Sequence, residues 1–160
     1  MIVYHGSNVE VKHPQIMDHL RALDFGAGFY TTSNMEQAKK WARAVVKRRR
    51  TGLPCVNVYD LNESKMGGLR VLRFDSPSEE WLDFVISNRK DSPGANSWDI
   101  VIGPVANDAT LPVIDDYMDG KYTKDEAIRR LLPQKLTDQY ACLTENAISL
   151  LEFQKCEVLS

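Results

Sequence analysis

Short runs rich in apolar, β-branched and aromatic residues recur at residues 2–5, 29–32, 56–61, 69–74, 99–103 and 139–143, and each run is bounded by Gly, Pro, Asn, Asp or Ser. Such runs between turn residues predict strands. Between the runs the apolar period is that of a helix. Three helix starts read as capping boxes: Ser33-Asn34-Met35-Glu36, Ser76-Pro77-Ser78-Glu79 and Thr123-Lys124-Asp125-Glu126, with Pro77 at a first helical position. In the first helix Met35, Ala38, Trp41, Ala42, Val45 and Val46 share a face. The run Lys47-Arg48-Arg49-Arg50 then sets cations at the negative pole of the helix dipole, and Gly52 offers a stop. Two shorter helices are expected after Asn107-Asp108 and after Thr144, the second carrying Ala147, Ile148, Leu150 and Leu151. Strands and helices alternate irregularly, without repeats or a long linker, which predicts a single α+β domain with one or two small sheets.

Composition narrows the class. The chain has 160 residues, with 20 Lys+Arg against 22 Asp+Glu, enough length to bury a core without disulfides or metal. A net charge of -2 argues against a nonspecific nucleic-acid binder, whose affinity comes from neutralising phosphates, but leaves room for a local basic patch such as the run ending at Arg50. No window approaches the roughly 18 apolar residues of a membrane span, and the N-terminus lacks a basic, then apolar, leader pattern. A cytoplasmic protein with no membrane partner is expected. Cys55, Cys142 and Cys156 are odd in number, too far apart for a CxxC clamp and set in apolar runs, so they read as buried core thiols. His5, His13 and His19 lack the spacing that places two imidazoles on one helical face, and no metal is expected.

Four segments carry polar or aromatic residues that a structural strand does not need: Tyr4-His5-Gly6-Ser7, Asp24 through Tyr30, Asp99 through Asp108, and Asp138-Gln139-Tyr140. Strands from both chain ends can be neighbours in a small sheet, so His5, Tyr30 and Gln139 are expected to meet at one cleft. Gly6 lets another molecule approach the backbone and exposes an N–H and a C=O, a pair suited to a primary carboxamide. The imidazole of His5 can serve a hydroxyl as donor or acceptor, according to tautomer. Gly26-Ala27-Gly28 bends the chain ahead of Phe29-Tyr30, and strand alternation sends those two rings to opposite faces, one into the core and one free to stack on a flat heterocycle. Trp41 is either a second wall or a core residue. The glycine pair is not a dinucleotide fingerprint, and no phosphate-loop motif occurs.

In this order, Tyr4-His5-Gly6-Ser7, Gly26-Ala27-Gly28-Phe29-Tyr30, a helix with Ala38 and Trp41, and Asp138-Gln139-Tyr140 resemble ADP-ribosyltransferases of the diphtheria-toxin and poly-ADP-ribose-polymerase type. More closely, residues 24–41, 99–108 and 139–153 resemble a small bacterial family, DUF3990, grouped with that fold. The resemblance implies one ADP-ribosyltransferase-like domain over residues 1–160, with a split β-sheet core and flanking short helices. It implies NAD as co-substrate: His5 on the adenosine-ribose 2′-hydroxyl, Gly6 holding the nicotinamide carboxamide through its backbone, Tyr30 stacked on the nicotinamide, Trp41 as a second aromatic wall, and Ser7 either supporting the site or capping local structure. The catalytic set would be His5, Tyr30 and Gln139.

The chain departs from that family at Gln139, which stands where the catalytic Glu is usual. An amide can hydrogen-bond a ribose hydroxyl, but it brings no negative charge to a developing oxocarbenium ion and cannot act as a general base. Mono-ADP-ribosyl transfer, hydrolysis or binding alone therefore fit better than chain elongation. Glu145 reads as a first-turn helix acid, Asp99 as structural, and Asp108 as either a cap or a substrate contact, while Lys12, Arg21 and the basic helix end are candidates to steer a diphosphate. The acceptor is left open between protein, nucleic acid, small molecule and water. By family analogy the role is that of a toxin or effector with an antitoxin as partner. The competing expectation is a noncatalytic NAD- or ADP-ribose-binding module, or an interaction scaffold.

Overall fold

A computed structural model describes residues 1–16, 24–90, 97–106 and 109–160. In chain order its elements are β1 (Ile2–Ser7), β2 (Phe29–Thr31), α1 (Met35–Arg49), β3 (Cys55–Leu61), a 3-10 segment (Glu63–Gly68), β4 (Val71–Arg73), α2 (Glu79–Lys90), β5 (Ile100–Pro104), α3 (Leu111–Met118), α4 (Lys124–Leu131), β6 (Asp138–Cys142), α5 (Glu145–Ile148) and β7 (Leu151–Val158). The architecture is mixed α+β with two sheets, ordered β1-β3-β7 and β2-β6-β5-β4. All neighbours are antiparallel except β4 and β5.

Strand alternation divides the side chains between three packed clusters. Val3 and Tyr59 of the first sheet meet Phe29, Ile100, Ile102 and Cys142 of the second in one core, which Ala147, Ile148 and Leu150 complete. Ala38 of α1 packs on Val56 and Val58, with Tyr4 and Met35 at the margin, and covers the other face of the first sheet. Trp81, Leu82 and Val85 of α2, Ile114 of α3, and Ala127 and Leu131 of α4 cover the other face of the second sheet, over Val101, Ala141 and Phe25. Each fully buried Leu, Ile or Val contributes roughly 1.5–3 kcal/mol, so the helical periodicity is stabilised where its apolar face meets a sheet.

Three local expectations are corrected. The segment after Thr144 is helical for a single turn, and Leu151, expected in that helix, begins β7 and pairs with Leu61. A four-residue helix has little stability of its own, whereas residues 151–158 gain an antiparallel ladder along β3, broken only by a register shift between Val58 and Tyr59. The cap of α1 is Asn34, whose side chain accepts from the Gln37 amide, because Ser33 is engaged by Asp138 through both its amide and its hydroxyl. At α2, Ser78 accepts from the Trp81 amide, so Pro77 precedes the helix. Thr123 caps α4 as expected. The helix expected after Asn107-Asp108 is α3, with Thr110 at its cap position; Asn107 and Asp108 lie outside the described residues, as do His19 and Arg21. Cys55 and Cys142 are buried thiols, but Cys156 is only half-buried. No helix among the described residues is long and apolar enough to cross a membrane.

Candidate functional site

β1 and β2 are edge strands of different sheets, and a single bridge joins them. Tyr4 and Thr32 exchange two backbone hydrogen bonds, the Tyr4 amide to the Thr32 carbonyl at 2.8 Å and the reverse at 2.9 Å. Continued along the strands, this antiparallel register sets His5 against Thr31 and Gly6 against Tyr30, yet the bridge stands isolated and the ladder stops. Residues two apart on a strand aim their backbone groups at the same edge. The N–H and C=O of Gly6 therefore point where those of Tyr4 do, away from β3 and toward Tyr30, at the place where the two sheets diverge.

His5 closes this divergence from one side. Its Nδ1 lies 2.7 Å from the Tyr30 carbonyl oxygen. A carbonyl only accepts, which assigns the proton to Nδ1 and makes Nε2 of the neutral ring an acceptor. The imidazole stacks on Phe29 with centroids 4.1 Å apart. Beneath it, Asn57 pairs with His5 across β3 and binds the loop after β1, accepting from the Val11 amide and donating to the Val9 carbonyl. Ser7 is buried, and its hydroxyl accepts from the Val9 amide at 3.4 Å, a local turn contact.

α1 lies close against Gly6 of β1. A Cβ there would lie 2.1 Å from the Ala38 carbonyl oxygen, 2.6 Å from the Ala42 amide nitrogen and 3.0 Å from Trp41 Cβ. Its Cα side is thus closed by the helix, and only its backbone edge is presented to the divergence. Trp41 is half-buried beside it.

Phe29 and Tyr30 do go to opposite faces: Phe29 joins the core between the sheets, and Tyr30 packs on the cluster containing Ala141 and Phe25. The Tyr30 hydroxyl accepts from the Phe25 amide at 3.0 Å and donates to the Gly26 carbonyl at 2.6 Å. It ties down the turn in which Gly26 takes φ 93°, a left-handed conformation that favours glycine. Burial pushes this phenol far above its ordinary pKa of 10.0.

Gln139 lies on the same face as Tyr30, two residues along β6 from Ala141, the partner of Tyr30. It is only 3% exposed. Its amide nitrogen is 3.4 Å from both Asp24 Oδ2 and the Pro104 carbonyl oxygen. Asp24 in turn accepts from Arg89 at 2.6 Å and from the Ala106 amide at 3.2 Å, and Asn88 donates to its carbonyl. Of this partly buried ion pair the sequence offered only Asp24, as part of a polar segment; Arg89 sits in an ordinary amphipathic helix and carried no signal.

The structure thus brings the backbones of His5, Gly6 and Tyr30 together with Trp41, and sets Tyr30 and Gln139 on one face. It does not bring the three side chains into one cavity, since the His5 ring, stacked on Phe29, and the Gln139 amide leave the strands on opposite faces. Asp99 is a structural staple: it accepts from the Arg70 amide at 2.9 Å and the Thr144 hydroxyl at 2.7 Å. Glu145 is exposed in the first turn of α5, and Lys12 lies 3.8 Å from Glu10. Among the described residues no group of three or more His, Cys, Asp or Glu could hold a metal ion. No curated protein and no solved structure matches the chain. A family model does match, over residues 1–153, and the chain therefore belongs to the family described as protein of unknown function DUF3990.

Proposed function

We propose that this protein binds NAD where β1 and β2 diverge and cleaves its nicotinamide–ribose bond, passing ADP-ribose to an acceptor or to water, in the manner of the ADP-ribosyltransferases it resembles. The observation that carries the reading is the edge of Gly6: a backbone N–H and C=O aimed at Tyr30 beyond the last bridge, with Trp41 alongside. Such a pair can hold a carboxamide by accepting from its NH₂ and donating to its oxygen. His5, oriented through Nδ1 by the Tyr30 carbonyl, is the candidate partner for a ribose hydroxyl. Positioning would then supply most of the rate, because Gln139 has no charge to set against a developing cation.

A second reading, a noncatalytic NAD or ADP-ribose module, is favoured by one feature. The Gln139 amide donates to Asp24, and the Tyr30 hydroxyl is engaged by its own loop as both donor and acceptor, so neither polar group is poised for ligand without rearrangement. Calorimetry with NAD, followed by nicotinamide release from the wild type, His5→Ala, Tyr30→Ala and Gln139→Glu, separates the readings. The enzyme reading expects release that His5→Ala abolishes and Gln139→Glu accelerates. Binding without release selects the module. Absence of binding to NAD and ADP-ribose alike leaves an interaction scaffold. A toxin role restrained by an antitoxin rests on family analogy alone.

A further inference from the structure

Seven of the chain's 20 lysines and arginines fall between Lys39 and Arg50, a stretch without any acidic residue, although the whole chain has a net charge of -2. The folded helix sorts them. Ala38 and Ala42 are fully buried against the first sheet, Lys39 is held by Glu36 at 3.0 Å, and Arg49 donates to Asn8 at 3.0 Å. Lys40, Arg43 and Lys47 recur at intervals of three and four, so they form one stripe about 10 Å long on the solvent side of α1, and Arg50, the left-handed residue that closes the helix, follows beyond its end. All four are exposed, and none forms an ion pair among the described residues. The one acid of the helix itself, Glu36, is engaged by Lys39.

The stripe itself carries no apolar side chain; its flanks within the helix hold the exposed Ala44 and the half-buried Val46, which is turned partly into the fold. A protein interface draws its energy from buried aromatic and aliphatic anchors, which are missing here. A phosphodiester backbone needs none, because evenly spaced cations gain by releasing counterions along a linear polyanion. The membrane-surface alternative also fails, since the apolar face of α1 is already spent on β1 and β3.

We infer that the exposed stripe Lys40-Arg43-Lys47 of α1, together with Arg50 at the residue that closes the helix, binds the phosphate backbone of a single nucleic-acid strand. The same helix packs Trp41 beside Gly6, so a strand on the stripe lies along the element that walls the proposed NAD site. Only the naming of that strand as the ADP-ribose acceptor rests on the NAD reading; the binding itself does not.

The test uses the full chain and fluorescein-labelled single strands of about 20 nucleotides, one RNA and one DNA, read by anisotropy between roughly 50 and 200 mM salt. Four phosphate contacts predict that log Kobs falls with log salt at a slope of about -3. In the variant Lys40→Glu/Arg43→Glu/Lys47→Glu the slope flattens by about 2 and affinity at the lower salt drops by 10-fold or more, while the circular dichroism spectrum and melting temperature match the wild type. Preference between the RNA and DNA arms identifies the source of the strand. The inference is overturned if the wild type binds neither strand, if the triple variant binds as well as the wild type, or if polyglutamate of equal charge competes as strongly as the oligonucleotides. Calorimetry with NAD on the triple variant keeps the two readings apart: unchanged NAD binding with lost strand binding is the expected result, and failure of NAD binding in every variant removes the acceptor assignment but not the strand site.

Discussion

Gly6→Ala measures how tightly α1 is seated on β1. The added methyl would start 2.1 Å from the Ala38 carbonyl oxygen and 2.6 Å from the Ala42 amide nitrogen. Both are backbone atoms of a helix, so no side chain can swing aside, and α1 must retreat by roughly 1 Å or more to restore ordinary contact. A gap of that size forfeits a quarter to a half of the dispersion well wherever Ala38 meets Val56 and Val58. Overpacking of this kind costs typically about 1–3 kcal/mol, and rigid neighbours on two sides place this case near 3. For a domain of this size that loss lowers the melting temperature by roughly 6–12 °C. The assay is urea and thermal denaturation followed by circular dichroism, with Gly67→Ala as control, since a Cβ at Gly67 meets nothing within 4 Å. A Gly6→Ala variant melting within about 2 °C of the control, with an unchanged urea slope, would refute the close seating of helix on strand.

Tyr30→Phe keeps the ring but removes the hydroxyl that links the Phe25 amide to the Gly26 carbonyl; urea titration should register a loss of about 1–2 kcal/mol while NAD affinity, if stacking is what the ring supplies, stays within twofold. Arg89→Met strips the ion-pair partner from Asp24, the two side chains being 21% and 11% exposed, and should destabilise by about 1–3 kcal/mol; a cost below about 1 kcal/mol would show the pair to be of surface type. The Asp99 carboxyl is held below its ordinary value of 3.8 by the Arg70 amide, against the opposing push of burial and with help from Thr144. Its stabilising contribution is therefore complete above about 3.8 and disappears as pH falls through the lower folded value. Denaturation midpoints across that acid range should decline less steeply for Asp99→Asn than for the wild type.

Local chemistry accounts for what was legible in the chain. Strand alternation and capping depend on residues within four positions of one another, so five of the predicted strands appear with shifts of a residue or two, the run at 69–74 shortens to Val71–Arg73, and Thr123 caps its helix. The opposite facing of Phe29 and Tyr30 follows from the same period. Tertiary contact decided the rest. Residues 151–158 became a strand because β3 offered an unpaired edge, and Ser33 lost the cap to Asn34 because Asp138, 105 residues away, took its amide and hydroxyl. The amide of Gln139 turned to Asp24 because Arg89, from a helix with no polar signature, fixed that carboxylate beneath the sheet. Periodicity says which face a residue takes, but which strand lies next to it, and which charge waits there, is set only when segments far apart in the chain compete for the same hydrogen bonds and the same buried space.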